Sequence, residues 1–307
     1  MKKLRLGTRG SSLALWQAET VAAELRQVIP GLDIDIEIIK TQGDKILDVA
    51  LSQIGDKGLF TKEIEKELLT GHIDLAVHSM KDLPVELESG LCIGAVLKRE
   101  DPRDVLLSHQ GYKLADLPER AVLGTSSLRR VAQLKAYRSD LQMVDLRGNV
   151  ETRIKKMKDQ NLDGIILAWA GVKRLGFEEL VTDLLPESIV LPAVGQGAIA
   201  IEIRKDDQAT AEQVALINHK PTFAEVEAER VFLQMLQGGC QVPIGSRAEV
   251  QGDRVQIRGL VCSLDGQRRL CRMVEGREAE ALELARKLAN DLLAGGALEI
   301  LEEIRSE

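Results

Sequence analysis

Short apolar runs alternate with amphipathic helical stretches along the first two-thirds of the chain. Leu4-Arg5-Leu6 reads as a strand ending in Gly7-Thr8-Arg9-Gly10-Ser11-Ser12. Leu13, Leu15, Trp16, Val21, Ala22 and Leu25 then recur at helical spacing. Ile34 to Ile39 alternates isoleucine with acids, the period of a strand. Residues 60–69 predict an amphipathic helix, and Ile73 to Val77 a buried strand that runs into His78-Ser79-Met80-Lys81-Asp82. After Arg99-Glu100-Asp101-Pro102-Arg103 the pattern restarts, with a strand at Ala121-Val122-Leu123, a helix from Leu128 to about Tyr137 and a strand at Ile165-Ile166-Leu167. Leu191 to Gly197 is a turn-rich crossing, and Ile199 to Ile203 returns as a strand. Such alternation predicts mostly parallel sheets flanked by helices, with ligands outside the carboxyl ends of the strands.

The two openings echo each other. Leu6-Gly7-Thr8, then Ser11-Ser12-Leu13, matches Leu123-Gly124-Thr125-Ser126-Ser127-Leu128 once Arg9-Gly10 is skipped, which predicts two lobes of similar build. From Pro221 the character changes. Phe223 to Leu236 is amphipathic and closes on Gly238-Gly239, the expected helix stop. Strands at Ser246–Val250, Val255–Cys262 and Arg269–Val274 are joined by Gly252-Asp253 and Asp265-Gly266, an antiparallel meander, and a helix over Ala279–Leu293 completes an α+β unit.

At 307 residues the chain is long enough for two or three domains. It carries −7 overall, yet residues 120–174 hold 12 basic and 5 acidic side chains, leaving −14 for the rest. A basic middle in an acidic chain points to a local anion site. Nucleic-acid binders spread basic surface more widely and need aromatic platforms, and only 3% of these residues are aromatic. The chain lacks an early apolar stretch long enough for a signal peptide and any run of about 18 apolar residues. Cys92, Cys240, Cys262 and Cys271 form no CxxC pair, and the four histidines lack metal-ligand spacing, so no metal is expected. The expectation is a cytoplasmic chain without membrane or nucleic-acid partners; a plastid stroma would be the alternative for a plant precursor.

The chemistry-bearing candidates sit at strand ends. Arg129 and Arg130 open the helix behind Ser126-Ser127, where free backbone N–H groups and the helix dipole favour an anion. Arg147 beside Gly148, Arg153, Arg174 and, in the first lobe, Arg9 complete a set of six guanidiniums suited to a ligand with several carboxylates or phosphates. Lys155, Lys156 and Lys158 read instead as a solvated helical face. Lys81-Asp82 at a strand mouth is either a proton-transferring carboxylate with a cationic neighbour or a surface ion pair. Cys240 stands on a loop between Gly238-Gly239 and Pro243, placed to be a nucleophile or an attachment point, whereas Cys92, Cys262 and Cys271 read as buried fillers. Gly55-Asp56-Lys57-Gly58 lacks the phosphate-loop pattern. On the residues alone, a non-catalytic sensor for a carboxylated metabolite also fits the arginines, while leaving Cys240 idle.

Taken in order, these segments resemble the hydroxymethylbilane synthase (porphobilinogen deaminase) family. The resemblance runs through Gly7-Thr8-Arg9-Gly10-Ser11-Ser12-Leu13, Lys57-Gly58-Leu59-Phe60, His78-Ser79-Met80-Lys81-Asp82-Leu83-Pro84 and Gly124-Thr125-Ser126-Ser127-Leu128-Arg129-Arg130. It continues in Arg147-Gly148-Asn149-Val150-Glu151-Thr152-Arg153, Lys173-Arg174-Leu175-Gly176, Pro192-Ala193-Val194-Gly195-Gln196-Gly197 and Gly239-Cys240-Gln241-Val242-Pro243. Trp169 stands where the family usually has a smaller residue.

The resemblance implies an α/β protein with two periplasmic-binding-protein-like lobes of mixed, mostly parallel sheets and a smaller α+β C-terminal domain with an antiparallel three-stranded sheet. Domain 1 is expected at 1–98 plus 198–217, domain 2 at 103–192 and domain 3 at 220–307. It further implies a monomeric transferase that joins four porphobilinogen molecules head to tail, with loss of ammonia, on a dipyrromethane cofactor held by a thioether to Cys240, and then releases hydroxymethylbilane by hydrolysis. Asp82 would be the catalytic group. Ser11, Lys81, Asp82, Thr125, Ser127, Arg129, Arg130, Arg153 and Arg174 would hold the cofactor; Arg9, Gln17, Arg147, Arg153, Lys57 and Gln196 would meet the substrate.

Overall fold

The structure, a computed structural model, describes residues 3–45, 61–238 and 242–306. Among them thirteen strands follow one another: β1 Leu4–Thr8, β2 Ile34–Ile38, β3 Leu75–Ser79, β4 Leu91–Val96, β5 Asp104–Leu107, β6 Val122–Gly124, β7 Gln142–Val144, β8 Gly164–Ala168, β9 Val181–Leu184, β10 Ile199–Arg204, β11 Ile244–Gln251, β12 Arg254–Cys262 and β13 Arg269–Arg277. The chain divides into two compact units, one of residues 1–100 and 198–223, the other of residues 101–197 and 224–307.

Each unit contains a five-stranded sheet, and the two sheets share one topology. The first runs β2-β1-β3-β10-β4 and the second β7-β6-β8-β5-β9. In both, the fourth strand alone is antiparallel to its neighbours. That strand is always the one that follows a crossing from the other unit: β10 after residue 197, β5 after residue 100. The mostly parallel sheets and paired lobes expected from the sequence are therefore present.

The repeated Gly-Thr has a packing origin. A Cβ on Gly7 would lie 2.4 Å from Ile73 Cδ1, and one on Gly124 would lie 2.8 Å from Leu146 Cδ2. Both glycines let a side chain from the neighbouring strand or loop cross the end of a central strand, where the chain turns into a helix. The helix Ser12–Val28 starts at Ser11, whose hydroxyl accepts from Ala14 N–H, and ends before Pro30. It buries Ala18, Val21, Ala22 and Leu25 against β1, β2 and β3. Leu13, Leu15 and Trp16 of the same apolar pattern lie outside that core, and Trp16 is exposed.

In the C-terminal part, β11, β12 and β13 form the antiparallel meander. Val255, Ile257 and Val261 of β12 face the helices Lys220–Met235 and Ala281–Leu292, while Leu260 and Cys262 pack on Ala132 and Leu191. Both faces being covered explains the apolar run at the end of β12. The Lys220–Met235 helix ends with Gln237 at φ 49, so a glutamine rather than the expected glycine occupies the left-handed position. Gly238 is required for space, since its Cβ would lie 2.3 Å from Leu233 Cδ1. Beyond Leu292 the chain continues through a kink at Gly296 (φ 103) into a further helix, Leu298–Ser306, absent from the sequence reading.

Candidate functional site

In the first unit the loop after β1, the start of the Ser12–Val28 helix and the end of β3 enclose a small open cleft. Arg9, Ser11, Gln17, Thr61, His78, Ser79 and Asp82 line it, with Leu13, Ala14 and Val77. Four residues expected at a ligand (Arg9, Ser11, Gln17 and Asp82) thus meet in one place. Buried Gln17 exchanges hydrogen bonds with Ser79, Nε2 donating to Oγ at 2.9 Å, which ties the helix to the mouth of β3. Lys81 and Asp82 follow in a single 3₁₀ turn, Met80–Asp82, held by Met80 N–H donating to Ala198 O at 3.0 Å. Asp82 is exposed to the cleft and Lys81 half-buried. The cleft therefore offers a guanidinium, hydroxyls and a helix N-terminus for an anion, beside one carboxylate for a cationic nitrogen.

The second unit repeats the arrangement with more basic groups. Thr125 N–H donates to Val144 O and Ser126 Oγ to Leu146 O, fixing the turn that leads into the helix Leu128–Tyr137. Ser127 is its N-cap residue, and its side chain makes no capping bond. Arg147 and Arg153 flank Gly148, whose carbonyl accepts from Arg153 Nε at 2.8 Å. Arg174 Nη2 donates to Gly197 O at 2.7 Å. Arg147, Arg153 and Arg174 are all half-buried. Lys155 and Lys158 are exposed as expected, but Lys156 is half-buried and donates to Arg147 O, so it braces that loop.

Arg129 and Arg130 are not open to solvent. Both are buried and converge on Asp104, the first residue of β5: Arg129 Nη2 lies 2.8 Å from Oδ2 and Arg130 Nη2 2.7 Å from Oδ1. Arg129 also donates to Leu191 O and Arg130 to Ile166 O. Gln196, expected at the substrate, is buried here too, its Nε2 donating to Asp104 Oδ1 and Pro102 O. Burial pushes the Asp104 carboxyl up, but the charges and hydrogen bonds of the two arginines overcome it and hold it well below the usual carboxylate range. Two buried guanidiniums thus share one carboxylate of the protein itself. Asp104 escaped the sequence reading; the available signal was a single acid opening an apolar run, Asp104-Val105-Leu106-Leu107. Glu202, alone in the apolar Ile199–Ile203, carries the same signal.

Cys240 and Lys57 lie outside the described residues. Of the other cysteines, Cys262 is buried, and burial pushes its thiol up to about 11; Cys92 and Cys271 are half-buried. Among the described residues no group of histidine, cysteine or acid side chains could hold a metal ion, and no helix is long and apolar enough to cross a membrane.

Fold and side chains together define an α/β protein with two like-built units, one setting Arg9 and the other several arginines beside serines and a helix N-terminus, the equipment for an organic polyanion. The comparisons with known proteins narrow this class. The porphobilinogen deaminase dipyrromethane cofactor-binding domain matches residues 4–212, and the porphobilinogen deaminase C-terminal domain matches residues 223–294. A porphobilinogen deaminase of Syntrophomonas wolfei is 64% identical over 305 residues, covering 99% of this chain and 100% of the relative. One from Moorella thermoacetica is 53% identical over 307 residues, covering 100% and 98%. The chain belongs to the porphobilinogen deaminase family, transferases of tetrapyrrole biosynthesis. Among solved structures, an ancestral arginine-binding protein bound to arginine aligns with 71% of this chain and 91% of its own at 14% identity and a TM-score of 0.41.

Proposed function

We propose that this chain condenses four porphobilinogen molecules head to tail, with loss of ammonia, and that Asp82 is its catalytic residue. The observation that carries this reading is the meeting of Arg9, Ser11, Gln17 and Asp82 in one cleft of the first unit. A pyrrole bearing acetate and propionate arms needs cations and donors for the arms and a carboxylate for the ring nitrogen, and the cleft holds both kinds of group.

The donor set also suits a dipyrromethane. Ser11 and Lys81 in the first unit, and Thr125, Ser127, Arg129, Arg130 and Arg153 in the second, are cationic or hydroxyl donors at helix starts and strand ends, and Arg174 ends the short helix Trp169–Arg174; this is the chemistry that carboxylate arms require. Arg129 and Arg130 would act with Asp104 as a preset pair, one carboxylate leaving a positive excess for the ligand. When bound, the cofactor supplies a pyrrole carbon on which substrate units are joined. Arg9, Gln17, Arg147, Arg153, Lys57 and Gln196 would orient the incoming substrate. As the substrate's carbon–nitrogen bond breaks and ammonia leaves, positive charge develops on its pyrrole nitrogen, and the Asp82 carboxylate would stabilise that charge by proximity and hydrogen bonding.

Attachment through Cys240, a division into three domains, a monomeric state and a cytoplasmic place belong to the same proposal, in line with the bacterial relatives and the absence, among the described residues, of a membrane-crossing helix. An intact-mass spectrum of the purified chain tests it. The expected result is a covalent excess of two pyrrole units that disappears in Cys240→Ser, with ammonia released from porphobilinogen by the wild type alone. A wild-type chain of unmodified mass that leaves porphobilinogen unchanged refutes the reading.

A further inference from the structure

The loop between β7 and the helix Val150–Asp159 carries Arg147, one of the groups proposed to orient the substrate. That helix presents three faces, each marked by residues three apart. Ile154 and Met157 are buried with Leu146, Leu162 and Ile165, while Lys155 and Lys158 stand in solvent. Arg153 and Lys156 make the third face. Side chains on a helix lean toward its N-terminus, and these two reach back past it. Arg153 Nε donates to Gly148 O at 2.8 Å, and Lys156 Nζ donates to Arg147 O at 3.1 Å.

Arg147 is thereby held from both sides. In the peptide before it, the Leu146 carbonyl accepts from Ser126 Oγ at 2.8 Å; in the peptide after it, the carbonyl of Arg147 accepts from Lys156. Those two peptide planes set φ and ψ of Arg147, and so the direction in which its side chain leaves the backbone. Gly148 follows at φ 125, in a region that leaves glycine many neighbouring conformations, so the turn needs an outside tie to keep one of them. Ordering a long side chain costs rotamer entropy, a loss that Lys155 and Lys158 avoid. Those exposed lysines would satisfy a general need for positive charge here; they do not supply a bond to one particular carbonyl.

We infer that Lys156 is a positioning residue for the condensation: with Ser126 it fixes the backbone of Arg147, and through it the guanidinium that orients the incoming substrate. The inference rests on the functional reading above, but two of its readouts do not. In wild-type protein, an amine-acylating reagent is expected to mark Lys155 and Lys158 well before Lys156. In substrate-free protein, the Gly148 amide resonance belongs to the peptide whose carbonyl accepts from Lys156. It is expected to move in Lys156→Met and to stay in Lys158→Met, which loses the same charge from the exposed face. Lys156→Met is expected to raise KM for porphobilinogen about tenfold with kcat nearly unchanged, the pattern of one charged hydrogen bond lost from binding. Lys158→Met should match the wild type, and Lys156→Arg, which keeps a cationic donor, should recover most of the loss. The inference is overturned by a Lys156 that acylates as fast as Lys158, or by a Gly148 resonance or a KM unchanged in Lys156→Met. An equal rise of KM in Lys158→Met overturns it too, since charge alone would then suffice. The acylation result decides even if the methionine variant fails to fold. Failure of the functional reading registers separately, as a wild-type chain without adduct or turnover.

Discussion

Asp104→Asn is the sharpest test of how the second unit is held together. Asp104 is fully buried and holds Arg129, Arg130 and Gln196 at 2.7–2.9 Å. Asparagine keeps the shape but loses the charge, and its amide N–H₂ replaces one oxygen that faced a donor. Two buried guanidiniums are then left with no countercharge from residue 104. Removing one partner of a buried pair costs about 3–5 kcal/mol, because the charge that remains is still out of water. At about 2–4 °C per kcal/mol for a unit of this size, the melting temperature should fall by about 6–20 °C. The pH dependence gives an independent check. The carboxyl is held below its unfolded value of about 3.9, so its contribution is complete above about pH 5 and is lost as pH falls toward the folded value. Urea unfolding of both proteins between pH 7 and pH 3 should therefore show a wide gap at neutral pH that narrows in acid. A variant within about 1 kcal/mol of the wild type at pH 7, or a gap that does not narrow on acidification, would refute the account of Asp104 as the countercharge.

Asp82→Asn should lower turnover about 100-fold or more with little change in melting temperature, since the side chain is exposed and makes no core contact; steady-state kinetics beside a thermal melt checks both halves. Gly266→Ala should destabilise by about 2–4 kcal/mol, because residue 266 sits at φ +78 and its Cβ would lie 2.4 Å from Ala136 N; urea unfolding measures it, and a loss below about 1 kcal/mol would mean that the hairpin tip is not seated on that helix. Alkylation of the folded protein at pH 8 should spare Cys262, whose buried thiol is pushed up to about 11 and stays protonated; peptide mapping by mass spectrometry would expose the error if Cys262 reacted as fast as free thiol.

Periodicity and turn chemistry made much of the architecture legible. The Gly-Thr-Ser turns at residues 7 and 124 marked equivalent strand-to-helix junctions, and the helix Leu128–Tyr137 begins and ends where its pattern does. Short strands were harder to see. β7 has three residues, and β4 carries Cys92 and Gly94, where a Cβ would meet Ile203 Cδ1 at 2.7 Å. Such segments become strands because a neighbour pairs with them, not because their own residues demand it. The loop arginines were visible as charges beside turns, but exposure could not be read that way: Arg129 and Arg147 look alike in the chain, and only one of them is buried on an aspartate.

What the linear order of residues determined, then, was local: which stretches wind, which extend, where the turns fall, and that positive charge gathers at strand ends. What tertiary structure alone decided was pairing across distance. Asp104 reaches Arg129 and Arg130 because β5 lies beside β8 in the same sheet, and Glu202 reaches His78 because β10 returns antiparallel to β3. The physical reason is that a buried charge is tolerated only when a counterpart arrives with it, and the counterpart's identity is set by sheet order and register, which no local window of sequence contains.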